Sequence, residues 1–315
     1  MDCEKLSWKH LQEWFRSKKW KPFPFQIATW EAYLAGGSGL VHAATGTGKT
    51  MAVWLGPVIE ALRELYAQGG QQEPNSSGLR VLWITPLRAL AGDTTEALQS
   101  SAEALGLPWR VQLRTSDVGS SVKAKQRKQM PEALVTTPES LTILLTYAEF
   151  RDQLQKLRCV VVDEWHELLG TKRGVQTELA LARLRILSPA LKTWGVSATL
   201  GNLDEALRCL VGPDKVGDAT LIQGQLSKPL DIQTLLPQQL ERFPWAGHVG
   251  GPMVPAVAEL IDRAKNTLVF TNTRSQTEVW YQALLKLRKD WAGLLAIHHG
   301  SLDSEVRQWV ERRLR

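Results

Sequence analysis

Cysteine is scarce in this chain. Three occur among 315 residues, Cys3, Cys159 and Cys209, far apart and without a CxxC pair. That spacing excludes a disulfide framework and a cysteine-held zinc or iron–sulfur site, and it makes reduced thiols the expectation. Long apolar runs are missing too: nothing approaches the roughly 18 apolar residues that a membrane-crossing helix needs. The first twenty residues carry Asp2, Glu4, Lys5 and Lys9 instead of the apolar core of a signal peptide. The reading is a cytoplasmic protein with no membrane partner. Repeats and low-complexity tracts are also lacking. Hydrophobic residues make up 43%, enough for packed cores, and the length admits two ordinary domains. A formal net charge of +6 suits a polyanionic partner without identifying one. The one excess is tryptophan, with 13 residues, and packing explains Trp83, Trp194 and Trp245, which sit in apolar settings.

The segment Ala43 to Thr50 reads AATGTGKT, after a short apolar run from Gly39 and before a helix-forming stretch. This setting marks a phosphate-binding loop spanning Thr45, Gly46, Thr47, Gly48, Lys49 and Thr50. The two glycines let successive N–H groups face anionic oxygens, and the start of the following helix adds its positive end. Lys49 reaches the β- and γ-phosphates, and the Thr50 hydroxyl is placed for Mg²⁺. A glycine turn at a strand end is the plainer alternative.

A second apolar run, Cys159 to Val162, ends in Asp163-Glu164-Trp165-His166. Asp163 at a strand end can hold Mg²⁺ through water, and Glu164 can polarise the water that attacks a γ-phosphate. Without the phosphate loop, the same acidic pair would read as the start of a solvated turn. Further apolar strands are expected at Leu79 to Thr85, Arg110 to Arg114, Leu134 to Thr137 and Lys192 to Ser197. Helices are expected over Met51 to Ala67 and Arg88 to Leu105 from their three- and four-residue apolar spacing. The order predicts an α/β, doubly wound parallel sheet with its ligand at the strands' carboxyl ends. Gln68 to Gly78 reads as an exposed loop, and Thr234 to Pro255, dense in Pro and Gly, as a connector. Beyond it, strands at Thr267 to Thr271 and Leu294 to His298 and helices at Ser275 to Arg288 and from Ser304 suggest a second, small α/β unit.

The phosphate loop, the DEWH box and Ser197-Ala198-Thr199 together resemble motifs I, II and III of superfamily 2 helicases. Phe23-Pro24-Phe25-Gln26 is similar to the adenine-recognising Q motif, Thr85 to Leu90 to motif Ia, and Thr136 to Leu141 to motif Ib. The wording between motifs, TPLRALAGDT, VVVDEWHELLGTKRGVQ and FTNTRSQ, resembles the Lhr-type (large helicase-related) group, most closely its bacterial ligase-associated DEXH-box branch.

The resemblance implies a RecA-like ATP-binding domain over 1–225, a connector over 226–255 and the first part of a second RecA-like domain over 256–315. Leu268 to Arg274 looks like motif IV, and the family's motifs V and VI have no counterpart in the sequence. The implied function is an ATP-dependent DNA helicase or translocase active in DNA repair, moving 3′ to 5′, with ATP and Mg²⁺ as cofactors. Its partner would be single-stranded nucleic acid, DNA before RNA, and a ligase or nuclease would stand among its repair partners. The alternatives are an RNA helicase, or a module that binds ATP and nucleic acid with little turnover. Without motif VI arginines, slow hydrolysis with little stimulation by DNA is the expectation for these residues alone.

By the same resemblance, Phe25 and Gln26 join the loop in holding ATP, and Glu164, Asp163 and Lys49 are catalytic. His166, Ser197, Ala198 and Thr199 couple the γ-phosphate to domain movement. Arg88, Arg114, Thr115, Thr137 and Ser140 grip a strand's backbone, as hydroxyls, arginines and helix N-termini do without reading sequence. Plainer alternatives stand beside these. Thr137-Pro138 can be an ordinary helix cap, and His166 a satisfied core histidine; a metal-ligand role for His166 lacks a second ligand at metal spacing. The basic run Lys123, Lys125, Arg127 and Lys128 reads as a solvated helix face, and Lys172-Arg173-Gly174 as a contact to strand or second domain.

Overall fold

The computed structural model describes residues 3–69, 78–224, 231–236 and 250–314. Most of the expected loop at Gln68 to Gly78, most of the expected connector, and Trp245 lie outside the described residues. The chain forms two compact units, Met1–Ser227 and Lys228–Arg315.

The first unit begins with two helices, α1 (Cys3–Ser17) and α2 (Pro24–Leu34). An alternating series follows: β1 (Ser38–Ala43), α3 (Lys49–Ala67), β2 (Val81–Ile84), α4 (Arg88–Ala104), β3 (Val111–Arg114), α5 (Ser120–Lys128) and β4 (Ala133–Thr136). It continues through α6 (Pro138–Leu144), α7 (Ala148–Gln153), β5 (Cys159–Val162), α8 (Trp165–Leu168), α9 (Lys172–Leu187), β6 (Lys192–Ser197), α10 (Leu203–Val211) and β7 (Ala219–Gly224). The seven strands form one sheet in the order β3-β4-β2-β5-β6-β1-β7, every pair parallel.

Parallel strands covered on both faces must be apolar throughout, and β2, β4 and β5 are buried at every position. Their side chains divide between two cores. Val81, Trp83, Val161, Trp194 and Val196 face a layer built with α1 to α4. Leu82, Ile84, Val160 and Val162 face the opposite layer, built with α6 to α10. Trp194 is fully buried, so its truncation to alanine is worth about 3–5 kcal/mol.

The strand β7 was not anticipated: it is an edge strand beside β1, and only Ile222 of its six residues is buried. The helix α3 begins two residues before the anticipated Met51, because the chain turns from Gly48 (φ 82°) directly into helix at Lys49.

The second unit contains α11 (Val254–Arg263), α12 (Arg274–Leu287) and α13 (Ser304–Leu314). Val254, Ala258, Leu284 and Trp291 form its small core. The helix α11 starts inside the segment read as a connector. The strands expected at Thr267 to Thr271 and Leu294 to His298 do not form. Leu268 is 63%, Phe270 88% and Leu294 81% exposed. A strand needs a neighbouring ladder to satisfy its N–H and C=O groups, and no described strand of this unit supplies one.

Candidate functional site

Strand order assembles the site. The chain leaves β1 and crosses past β6 and β5 to reach β2, and β6 later fills the gap between β5 and β1. Three carboxyl ends therefore stand side by side, with His42 of β1 opposite Ser197 of β6, and Val162 of β5 opposite Gly195. A crevice at such a reversal is where open α/β sheets bind ligands.

The loop after β1 adopts the backbone its sequence calls for. Gly46 and Gly48 have φ of 76° and 82°, a region that costs other residues about 1–2 kcal/mol. The buried Thr47 donates from Oγ1 to the Ala44 carbonyl at 2.7 Å, tightening the curl. Lys49 is 7% exposed, and its Nζ donates to the Ala43 carbonyl at 2.8 Å. Burial lowers its pKa, and Glu164 and Asp163 act against that shift. Thr45 is exposed on the loop, and Thr50 is half-buried in the first turn of α3.

Gln26 on α2 reaches this loop. Its Nε2 donates to the Gly48 carbonyl at 3.0 Å, and its Oε1 accepts from the Phe23 backbone N–H at 2.9 Å. A primary amide has two donors and two acceptor lone pairs, so one of each remains, the set an adenine edge requires. Phe25 is buried, and its ring stacks on that of Phe23, centroids 5.9 Å apart.

At the end of β5, Asp163 Oδ1 accepts from the Glu164 amide at 3.0 Å. Its Oδ2 accepts from the Trp83 indole Nε1 at 3.2 Å. Burial first, and the adjacent Glu164 charge second, push the Asp163 carboxyl up to about 6. Glu164 is held in the left-handed region at φ 43°, an uncommon conformation for a side-chain-bearing residue. Its Oε2 is buried with no hydrogen-bond partner among the described residues. A buried acceptor left open is costly unless something fills it, and a water molecule suits it. His166 Nδ1 lies 3.1 Å from Ser197 Oγ and 3.5 Å from Glu164 Oε2. Two residues read as a coupling pair are therefore in contact, with Ala198 and the exposed Thr199 next in the chain.

The oxygen donors fit a hard cation. Asp163 and Thr50 would hold magnesium with phosphate and water as its remaining ligands, since no cluster of three His, Cys, Asp or Glu among the described residues makes a cage.

The residues read as strand contacts divide. Arg88 is exposed at the start of α4, with NH1 2.8 Å from Ser116 Oγ and 3.5 Å from Asp117 Oδ1. Thr137 is 2% exposed and caps α6, its Oγ1 accepting from the Ser140 amide at 3.5 Å, so it takes the capping role rather than facing a strand, and Ser140 is half-buried. Arg114 needs correction as a surface phosphate contact. It is 4% exposed, and its NH1 donates to the Lys123 carbonyl at 3.1 Å and to Gln126 Oε1 at 3.2 Å. Through NH1, Arg114 ties β3 to α5. Thr115 is buried as well.

Of the basic run, Lys125 and Lys128 are exposed on α5, while Lys123 Nζ donates to the Ser116 carbonyl and Arg127 lies over the Tyr147 ring. Sequence reasoning missed Trp83 as a site residue, because nothing in an apolar strand shows which indole ends beside a carboxylate.

The chain is 34% identical to the ATP-dependent helicase Lhr-Core of Sulfolobus acidocaldarius, in a match covering 100% of this chain and 36% of that protein. It thus spans a little over a third of the Lhr-Core relatives it matches. Among solved structures it resembles Mycobacterium smegmatis helicase Lhr bound to ssDNA and AMP-PNP, with 30% identity, TM-score 0.73, and coverage of 97% of this chain and 40% of that one. The DUF1998 helicase MrfA bound to DNA and AMPPNP, 18% identical with TM-score 0.76 over 97% of this chain and 42% of that one, shares the fold. The profile of the DEAD/DEAH box helicases matches residues 23–206. That stretch is more than half of the chain and contains every site residue described above, so the chain belongs to the DEAD/DEAH box helicase family.

Proposed function

We propose that this chain is the nucleotide-binding part of an ATP-dependent helicase or translocase that acts on single-stranded DNA in preference to RNA. The observation that carries the reading is the meeting of Lys49, Asp163, Glu164, His166 and Ser197 at three neighbouring strand ends. In this reading the amides of Gly46 to Lys49 bind the phosphates, and Gln26 orients adenine. The open Oε2 of Glu164 takes the attacking water and its proton. Bound Mg²⁺ supplies charge neutralisation on the phosphate oxygens. His166 and Ser197 report the occupancy of the γ-phosphate position to the strand-binding edge.

The relative from Mycobacterium smegmatis, bound to ssDNA and AMP-PNP, supports both ATP and DNA as ligands. Residues 1–225 form the ATP-binding domain, 226–255 the connector and 256–315 part of a second RecA-like domain. A role in DNA repair beside a ligase or nuclease, and a cytoplasmic location, belong to the same reading. Measuring ATP turnover with single-stranded DNA, single-stranded RNA and neither tests it. Because slow turnover with little DNA stimulation is expected of these residues alone, nucleotide affinity is read alongside: tighter nucleotide binding with DNA than with RNA supports the proposal, and an affinity that neither polymer changes contradicts it.

A further inference from the structure

The Arg173-Gly174 pair that follows the DEWH box has a defined task in the fold. Thr171 caps α9, its Oγ1 accepting from the Gly174 amide at 3.1 Å. A Cβ on Gly174 would stand 2.1 Å from the Leu168 carbonyl oxygen. Only glycine allows this turn of α9 to close onto the end of α8. The close approach fixes where Arg173 leaves the helix.

The Arg173 guanidinium then makes three bonds. Nε donates to Glu139 Oε1 at 2.5 Å, NH2 to Glu139 Oε2 at 3.2 Å, and NH1 to the Pro86 carbonyl at 2.7 Å. Glu139 belongs to the first turn of α6, between Thr137 and Ser140. Pro86 lies two residues before Arg88, where α4 begins. One guanidinium therefore links the N-termini of α4 and α6 to the helix pair that follows Asp163 and Glu164. The planar fork of arginine makes this possible, and lysine cannot reproduce it.

We propose that Arg173 is a positioning residue that holds the start of α4 at a fixed distance from the start of α6, so that the Arg88 guanidinium and the Ser140 hydroxyl lie along one strand. The proposal rests on the reading of Arg88 and Ser140 as strand contacts. It differs from the simpler idea that Arg173 itself touches phosphate, and the sign of one substitution separates the two. Glu139→Gln removes a negative charge beside the strand. If Arg173 were a direct phosphate contact, that change would free it and strengthen binding. If Arg173 is a clamp, the change loosens Glu139 and weakens binding.

The test uses the full chain and a fluorescent oligothymidylate single strand, with nucleotide affinity and thermal midpoint measured alongside. Arg173→Lys and Glu139→Gln are each expected to weaken strand affinity by about five- to tenfold. The double variant should be little worse than either alone, because partners in one network are not additive. Nucleotide affinity should stay within about twofold. Unchanged or tighter strand binding by Glu139→Gln overturns the clamp, as does a parallel loss of nucleotide affinity. A parent chain that binds no strand overturns the underlying strand-contact reading, and the clamp with it.

Discussion

Trp83 and Asp163 are joined across neighbouring strands: the indole of a fully buried tryptophan on β2 donates to the carboxylate at the end of β5. A core residue thereby orients the group that would face the cation. Trp83→Phe keeps an aromatic in the core and removes the donor. Hydrogen bonds to charged groups contribute about 1.5–3 kcal/mol, and the 3.2 Å length places this one at the low end. The Mg²⁺ concentration needed for half-maximal ATP binding is expected to rise roughly tenfold, with metal-free ATP affinity nearly unchanged. An unaltered Mg²⁺ titration would show that the indole only packs.

Gly48 and Gln26 form a second such pair. An alanine at 48 would have to hold φ 82° and place its methyl 2.7 Å from Gln26 Nε2. Gly48→Ala is therefore expected to weaken ATP binding through both the loop and Gln26, at a backbone cost of about 1–3 kcal/mol. Gln26→Ala should instead erase the preference for ATP over GTP while retaining most phosphate affinity. Equal ATP and GTP binding by the parent chain would remove Gln26 from the site.

The fold was legible where burial is complete. The strands β5 and β6 match their anticipated limits residue for residue; in β5 the continuous apolar run Cys159 to Val162 leaves little choice. The half-exposed edge strand β7 carries no such pattern. Leu268 to Phe270 has strand composition yet forms no strand among the described residues, because composition does not supply a ladder partner. In the site, local motifs were readable and remote partners were not. Arg114 ends a strand, where a phosphate contact could stand, and only the fold shows it buried with NH1 bonded to Lys123 and Gln126. Arg173 meets partners 34 and 87 positions away, a distance at which sequence spacing is silent.

Acid should open the clamp at Glu139. Burial opposes ionisation of this carboxyl, but the Arg173 hydrogen bonds, its own backbone amide and Thr137 overrule burial and hold it below the ordinary value of 4.5. A carboxylate whose pKa is depressed on folding contributes stability above its unfolded pKa and loses it as pH falls through the folded one. The clamp is thus intact at neutral pH and is lost only as pH drops below about 4.5. Hydrogen exchange of the α6 N-terminal amides should accelerate relative to the sheet in that window, and Glu139→Gln should remove the pH dependence. Identical profiles for parent and variant would contradict the assignment.

Lys49→Ala removes a charge-assisted contact to phosphate worth about 1.5–3 kcal/mol, so ATP affinity is expected to fall roughly 10- to 150-fold. Folding loses the Nζ bond to the Ala43 carbonyl, about 1 kcal/mol, so the thermal midpoint should fall only slightly. A lowered thermal midpoint with unchanged ATP affinity would make Lys49 a structural residue.

The central claim is that the open carboxylate oxygen of Glu164 serves the water that attacks ATP bound at the phosphate loop. The most direct measurement is phosphate release and ATP affinity of the parent chain and Glu164→Gln, read side by side with single-stranded DNA present. The account predicts that the variant keeps ATP affinity within about twofold and loses most of whatever release the parent shows, commonly 10²- to 10⁴-fold for a general base. Equal phosphate release by the two proteins, or loss of ATP binding along with it, would contradict the account.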